Sequence, residues 1–297
     1  MTKLSRRNFL RLSLIGSVGV AAGCRAEAAA PSSAGTPAVG GAPAPTAASN
    51  TIAFDKPIYW EGDRRLAEWL QNVKTESGSA FSPAIVAPRL VEMANEVETK
   101  VSAPFNGATD RSIKRVMLYD PESLVKIKFI AAFSPKVVKA SVTTTIKMLK
   151  SSQLSAIVEN NLGEKWLGTS KAIEVGAGGC AAGAEPSREL PNDVLRVKFQ
   201  DFGDLVQFDA RLHHPMISGY GMEGDVVKKV YEPLYVKQLL LAYKGETVAD
   251  IELTPGLSEN PTFSFLTPRL GSDPLSVTAV NNEGKKFNLN VLIPAKG

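Results

Sequence analysis

Cysteine and histidine are scarce in this chain: two of each among 297 residues. A structural zinc site takes four Cys and His ligands in all, so it would use every one the chain has. Cys180, His213, His214 and Met216 are soft ligands of a kind copper accepts, but ligand type is all that points there. No metal site is expected, and no motif implies a cofactor. Long apolar runs are missing too. Leu12 to Ala22 is too short to span a bilayer, which takes about 20 apolar residues, and no later segment reaches that length. The body is therefore read as soluble. Basic runs, and basic stripes interleaved with aromatics, are absent as well, which removes support for a nucleic-acid partner. The formal charge of +4 resides in Lys3, Arg6, Arg7 and Arg11, with no acid before residue 24, so the rest of the chain is near neutral.

What is present begins with an export signal. Ser5, Arg6, Arg7, Asn8, Phe9 and Leu10 form a twin-arginine run ahead of the apolar stretch, the pattern of a Tat signal peptide over residues 1–23. A periplasmic location is expected. Ala21, Ala22, Gly23 and Cys24 resemble a lipobox, and lipid on Cys24 would be the protein's one hold on a membrane. A cut after Ala26, Glu27 and Ala28 would instead release a free protein, and both outcomes stay open. Residues 24–50 are rich in Ala, Pro, Gly, Ser and Thr and read as a disordered tether. As a flexible coil it would reach about 28 Å.

Two units of domain size follow, 51–175 and 192–297, separated by a glycine-rich arm and linker over 176–191. In the first, Leu66, Trp69, Leu70 and Val73 recur at helical spacing after Asp63. Ile113 to Tyr119, Lys126 to Phe133, Ala140 to Met148 and Lys165 to Val175 read as strands, with a turn at Asn160 to Gly163. In the second, Val206, Phe208, Ala210 and Leu212 alternate. Tyr235 to Tyr243 and Thr247 to Leu253 flank a turn at Lys244, Gly245 and Glu246, and Leu275 to Val280 and Phe287 to Ile293 flank Asn281 to Gly284. The fold class is all-β: two immunoglobulin-like β-sandwich domains joined by a Gly-rich arm, with a short N-terminal helix.

Whichever way the signal is processed, Cys180 remains as the free thiol. A lone thiol in an oxidising compartment calls for a reason. Its neighbours, Gly176, Ala177, Gly178, Gly179, Ala181, Ala182 and Gly183, supply no large apolar side chain to bury it. The thiol is therefore read as held outward on a thin arm, hinged at Gly176, Gly178, Gly179 and Gly183. From Gly176 to Cys180 the chain spans at most about 14 Å.

The chain resembles the carrier of the sulfur-oxidation (Sox) system, with both of its subunits joined. Ala87, Pro88 and Glu92, then Ala131 to Pro135, Ile146 to Met148 before Ser151 and Ser152, and finally Gly178, Gly179 and Cys180 are similar to SoxY. His214, Pro215 and Met216 with Gly219, then Ser258, Asn260, Pro261 and Phe263, and the terminal hairpin ending Ile293, Pro294 are similar to SoxZ. The resemblance implies a protein that performs no catalysis itself and carries a thiosulfate-derived sulfur unit on Cys180. It implies three partners: a c-type haem enzyme that loads the sulfur, a manganese sulfohydrolase that removes sulfate, and a sulfane dehydrogenase. In the family the arm ends the chain as Gly-Gly-Cys-Gly-Gly. Here Ala181 and Ala182 follow the thiol and the chain runs on through Pro186 to Pro191, so the arm is held at both ends.

Three other readings use some of the same residues. Cys180 as nucleophile with His213 or His214 as base asks a flexible arm to hold hydrogen-bond geometry, and adjacent strand residues face opposite ways, so at most one histidine serves. A passive interaction module would leave Cys180 dispensable. A carrier for an oxidation pathway that does not use thiosulfate would keep it.

Overall fold

The computed structural model describes residues 53–54, 60–75, 81–104, 112–137, 139–176, 187–223, 226–229, 231–269 and 273–293. Arg6, Arg7, Cys24, Gly178, Gly179, Cys180 and Gly183 lie outside the described residues.

The first half contributes β1 (Ala53–Phe54), α1 (Trp60–Leu70), β2 (Val73–Lys74), β3 (Ala84–Val86), β4 (Leu90–Val91), β5 (Val97–Pro104), β6 (Ile113–Tyr119), β7 (Ile127–Phe133), β8 (Lys139–Ile146), β9 (Ser155–Asn160), β10 (Lys165–Thr169) and β11 (Glu174–Val175). The second contributes β12 (Leu195–Asp201), β13 (Leu205–Leu212), β14 (Tyr220–Glu223), β15 (Val226–Lys229), β16 (Val236–Tyr243), β17 (Glu246–Leu253), β18 (Thr262–Pro268), β19 (Leu275–Asn281) and β20 (Lys286–Val291). The all-β reading with one short helix near the N-terminus is thus the observed class.

Alternation explains why these segments are strands. Val206, Phe208, Ala210 and Leu212 are all fully buried while Gln207 and Asp209 between them are part-exposed and Arg211 is exposed, as a period of two requires when one face meets the core. The turn at Lys244 and Gly245 has φ of 54° and 72°, the paired positive values of a tight hairpin turn.

Two sheets make the body. One has nine strands in the order β2-β10-β9-β6-β7-β17-β16-β19-β20, the other six in the order β12-β13-β18-β8-β5-β3. Both cross from one half of the chain to the other by antiparallel pairing. In the first sheet β7 lies beside β17, with Ala131 opposite Ile251 and Phe133 opposite Ala249. In the second β8 lies beside β18, with Ser141 opposite Ser264. The core between the sheets is accordingly one cluster from both halves, with Phe129 edge-on to Phe263 at 6.1 Å between ring centres. Residues 50–297 form a single unit.

Two predicted elements differ from what is observed. The helix begins at Trp60, ahead of Asp63, and buries Leu66 and Trp69, while Leu70 is exposed and Val73 stands in β2. Asn72, with φ of 57°, supplies the left-handed residue that ends the helix and turns the chain into β2. Leu66 and Trp69 pack with Met117, Tyr119, Ile130 and Ile157 on the outer face of the nine-stranded sheet. The segment Lys165 to Val175 is two strands. It breaks at Ser170, whose amide and Oγ pair with Leu154 and whose hydroxyl donates to the Lys171 carbonyl at 2.7 Å. Beyond the break β11 leaves the sheet and pairs with β4 in parallel. Before it, Gly168 lets the other layer approach: a Cβ there would sit 2.1 Å from the Pro83 carbonyl oxygen.

Candidate functional site

Gly176 is the one predicted hinge glycine among the described residues, and the chain up to it is tied down at every step. Ile173, fully buried, exchanges backbone bonds with Ser152 at 2.9 and 3.2 Å. The amide of Glu174 donates to the Arg89 carbonyl at 2.8 Å, that of Val175 to Ser151 Oγ at 2.9 Å, and that of Gly176 to the Val91 carbonyl at 2.9 Å. Each of these bonds uses a partner from the 89–91 or 151–152 segment, and together they fix the course of the chain as far as Gly176.

Behind this root lies a buried carboxylate. Asp120 is inaccessible to solvent, and its side chain accepts from Ser152 Oγ at 2.7 Å, Ser123 Oγ at 2.6 Å and the Glu122 amide at 3.1 Å. Three donors satisfy a charge that burial would otherwise make costly. Buried Lys128 donates to the Lys147 carbonyl at 2.6 Å, within a loop whose Lys147 amide donates to the Gly256 carbonyl at 2.9 Å. Lys147 Nζ reaches the carbonyls of Met216 and Pro255. A continuous polar layer thus runs from the arm root to loops of the second half. Gly256 makes room for it, since a Cβ there would come within 3.0 Å of the Lys128 side chain.

Past the arm, Arg188 donates to the Glu232 carbonyl at 2.6 Å and to Glu283 Oε1 at 2.9 Å. The loop between Gly176 and Ser187 therefore has both ends fixed on the body, and its eleven peptide units span at most about 40 Å.

The two histidines part company as adjacent residues should. His214 is fully buried, its Nδ1 accepting from the Met216 amide at 3.3 Å and its Nε2 without a partner, and burial pushes its pKa down to about 4. His213 is part-exposed, with Nδ1 3.5 Å from Asp193, whose carboxyl is held below its ordinary range first of all by its hydrogen bond to Arg196. A neutral, enclosed imidazole is a packing group, and nothing places it as a base. Among the described residues no three His, Cys, Asp or Glu side chains gather as metal ligands.

Sequence reasoning singled out Lys147, Ser151 and Ser152 without a task for them, and it missed Asp120, Ser123 and Lys128 altogether. An acid between a strand and a Pro looks like any surface turn; only the fold encloses it.

Two family profiles match. One, described as sulfur oxidation protein SoxY, covers residues 71–180, and the other, sulphur oxidation protein SoxZ, covers 195–291. The comparison with curated proteins returned no match. Among solved structures the chain is similar to the superoxide reductase (neelaredoxin) of Ignicoccus hospitalis, at 31% identity over 32% of this chain and 80% of that one, TM-score 0.29. It is similar to the sulfur carrier protein SoxY of Chlorobium limicola f. thiosulfatophilum, at 17% identity over 39% of this chain and 96% of that one, TM-score 0.32. A third likeness is to a superoxide reductase structure from Thermotoga maritima, at 21% identity over 35% and 95%, TM-score 0.31.

Proposed function

From a chain that belongs to the SoxY and SoxZ families, joined in one polypeptide, we propose that it is a periplasmic sulfur carrier that holds thiosulfate-derived intermediates on Cys180. The observation that carries this reading is the arm root. The SoxY match ends on Cys180 itself, and the backbone is hydrogen-bonded to the body at Gly176, four residues earlier. A thiol so placed can be delivered to another protein's active site without unfolding the body.

The chemistry is shared with partners. In loading, the Cys180 sulfur bonds to the sulfane sulfur of thiosulfate, the thiol proton goes to solvent, and two electrons pass to a c-type haem enzyme. In unloading, a manganese sulfohydrolase directs water to the terminal sulfonate, the bond between the sulfane and sulfonate sulfurs breaks, sulfate leaves with the water oxygen, one proton stays on the persulfide left on Cys180 and the other goes to solvent. A sulfane dehydrogenase then oxidises that sulfur. The thiolate is the attacking form, and an unperturbed thiol of pKa near 8.5 is roughly 3% ionised at pH 7, so loading should speed up with pH. Export by Arg6 and Arg7, and either lipidation of Cys24 or release, set where this happens.

Reconstitution tests it: mature protein, thiosulfate, the haem partner and an electron acceptor. Thiosulfate-dependent mass gain on the wild type and none on Cys180→Ser supports the reading. Equal gain on both, or none on either, contradicts it. Loading by a different sulfur donor, with thiosulfate inert, would place the carrier in another oxidation route; the two-ended arm, which needs a wider channel than a free tail, is the feature that favours this second reading.

A further inference from the structure

Seven large apolar side chains stand exposed among the described residues. Leu70, Leu162, Phe202 and Leu292 are scattered singly, which is ordinary for a soluble surface. Val86, Leu90 and Met93 fall within eight residues of chain and are 66%, 68% and 55% exposed. Their neighbours Ile85, Ala87, Val91 and Ala94 turn toward the core, so the outward set is what the same short stretch leaves over. Clustered exposed apolar side chains mark contact surfaces. This cluster has a particular address. Leu90 pairs with Glu174, and the Val91 carbonyl takes the amide of Gly176, the last described residue before the arm.

Resting on the carrier reading, the geometry points to Val86, Leu90 and Met93 as the docking surface for the apolar rim of the channel through which a processing enzyme admits the arm. Reach identifies the occupant. Four peptide units separate Gly176 from Cys180, at most about 14 Å. An enzyme whose reacting atoms meet the Cys180 sulfur must bring its surface to within that distance of Gly176, a radius inside which β4 lies, since Val91 holds the Gly176 amide. Net charge is small: exposed Arg89, Glu92 and Glu174 beside the three apolar residues sum to a single negative charge, leaving burial of apolar area as the main source of affinity. Docking here should therefore depend weakly on salt.

The test uses the mature protein as wild type, as the double variant Leu90→Lys/Met93→Lys, and as Leu162→Lys, a control at a distant turn. Each is loaded at Cys180 and offered to the sulfohydrolase, and the unloaded thiol is alkylated with iodoacetamide and followed by peptide mapping. The double variant should raise KM about tenfold or more, the loss of two buried side chains, with kcat, alkylation rate and melting temperature unchanged and the control near wild type. An unchanged KM overturns the surface. Faster alkylation of the double variant overturns it in favour of the 177–186 segment as occupant. Concentration-dependent self-association of the wild type, lost in the variant, overturns it in favour of a second copy. A wild type that is loaded and turned over keeps the carrier reading whichever way KM falls, whereas one never loaded defeats that reading and this surface together.

Discussion

The amide of Val175 donates to Ser151 Oγ at 2.9 Å, one residue before the glycine from which the arm departs. The bond ties the last residue of β11 to the exposed Ser151 rather than to its partner strand. Ser151→Ala should remove it at a cost of about 1 kcal/mol, since water can replace an exposed partner. Amide exchange at Val175 and Gly176 should quicken severalfold while exchange in β7 and β17 stays as it was. Unaltered exchange at both amides would show that β4 alone holds the root.

Asp120 is a different matter, because its carboxylate is fully buried and serves three donors at once. Asp120→Ala strands the buried Ser123 Oγ and takes the acceptor from the part-buried bonds of Ser152 Oγ and the Glu122 amide, and should cost about 2–3 kcal/mol. Denaturant unfolding at neutral pH reads this directly. A loss below about 1 kcal/mol would mean the three donors find other partners.

His214 gives the body a pH dependence of definite sign. Above pH 6.5 the imidazole is neutral both folded and unfolded and contributes nothing. As pH falls through 6.5 the unfolded chain takes up a proton that the folded protein, with its pKa near 4, does not, so stability is lost until pH 4. Between pH 7.5 and 5.0 the loss should be about 2 kcal/mol. His214→Gln should flatten urea unfolding free energy over that window by the same amount. Parallel pH profiles for the two proteins would place the buried imidazole in a more polar setting than its surroundings indicate.

Arg65 on α1 clasps Glu252 on β17 through both guanidinium nitrogens, joining the first half to the second across the outer face. With side chains 39% and 49% exposed, the pair should be worth under about 1 kcal/mol. A double-mutant cycle with Arg65→Ala and Glu252→Ala should give a coupling of that size that shrinks as salt rises. A coupling of several kcal/mol would make the pair, rather than strand pairing, the main tie between the halves.

Much of the fold was legible because burial imposes a short period. Ile113 to Tyr119 appears as read, and the hairpin at Lys244 and Gly245 follows from turn chemistry that leaves few alternatives. The joining of the halves was not legible. Ala131, Ala132 and Phe133 read as a strand, but which strand lies beside them depends on a partner more than a hundred residues away, and periodicity carries no information on pairing. The helix stripe misled at Leu70 and Val73 because the left-handed Asn72 breaks the period after Trp69. At the site, Cys180 stood out through its poor surroundings in sequence, whereas Asp120 and Lys128 acquire meaning only from enclosure.

The central claim is that Cys180 carries sulfur in the cell, and intact-protein mass spectrometry of the mature protein from its native compartment tests it most directly. With sulfur oxidation active, the account predicts added sulfur or thiosulfonate mass that reductant removes and peptide mapping assigns to Cys180. A bare thiol at Cys180 under those same conditions would contradict it.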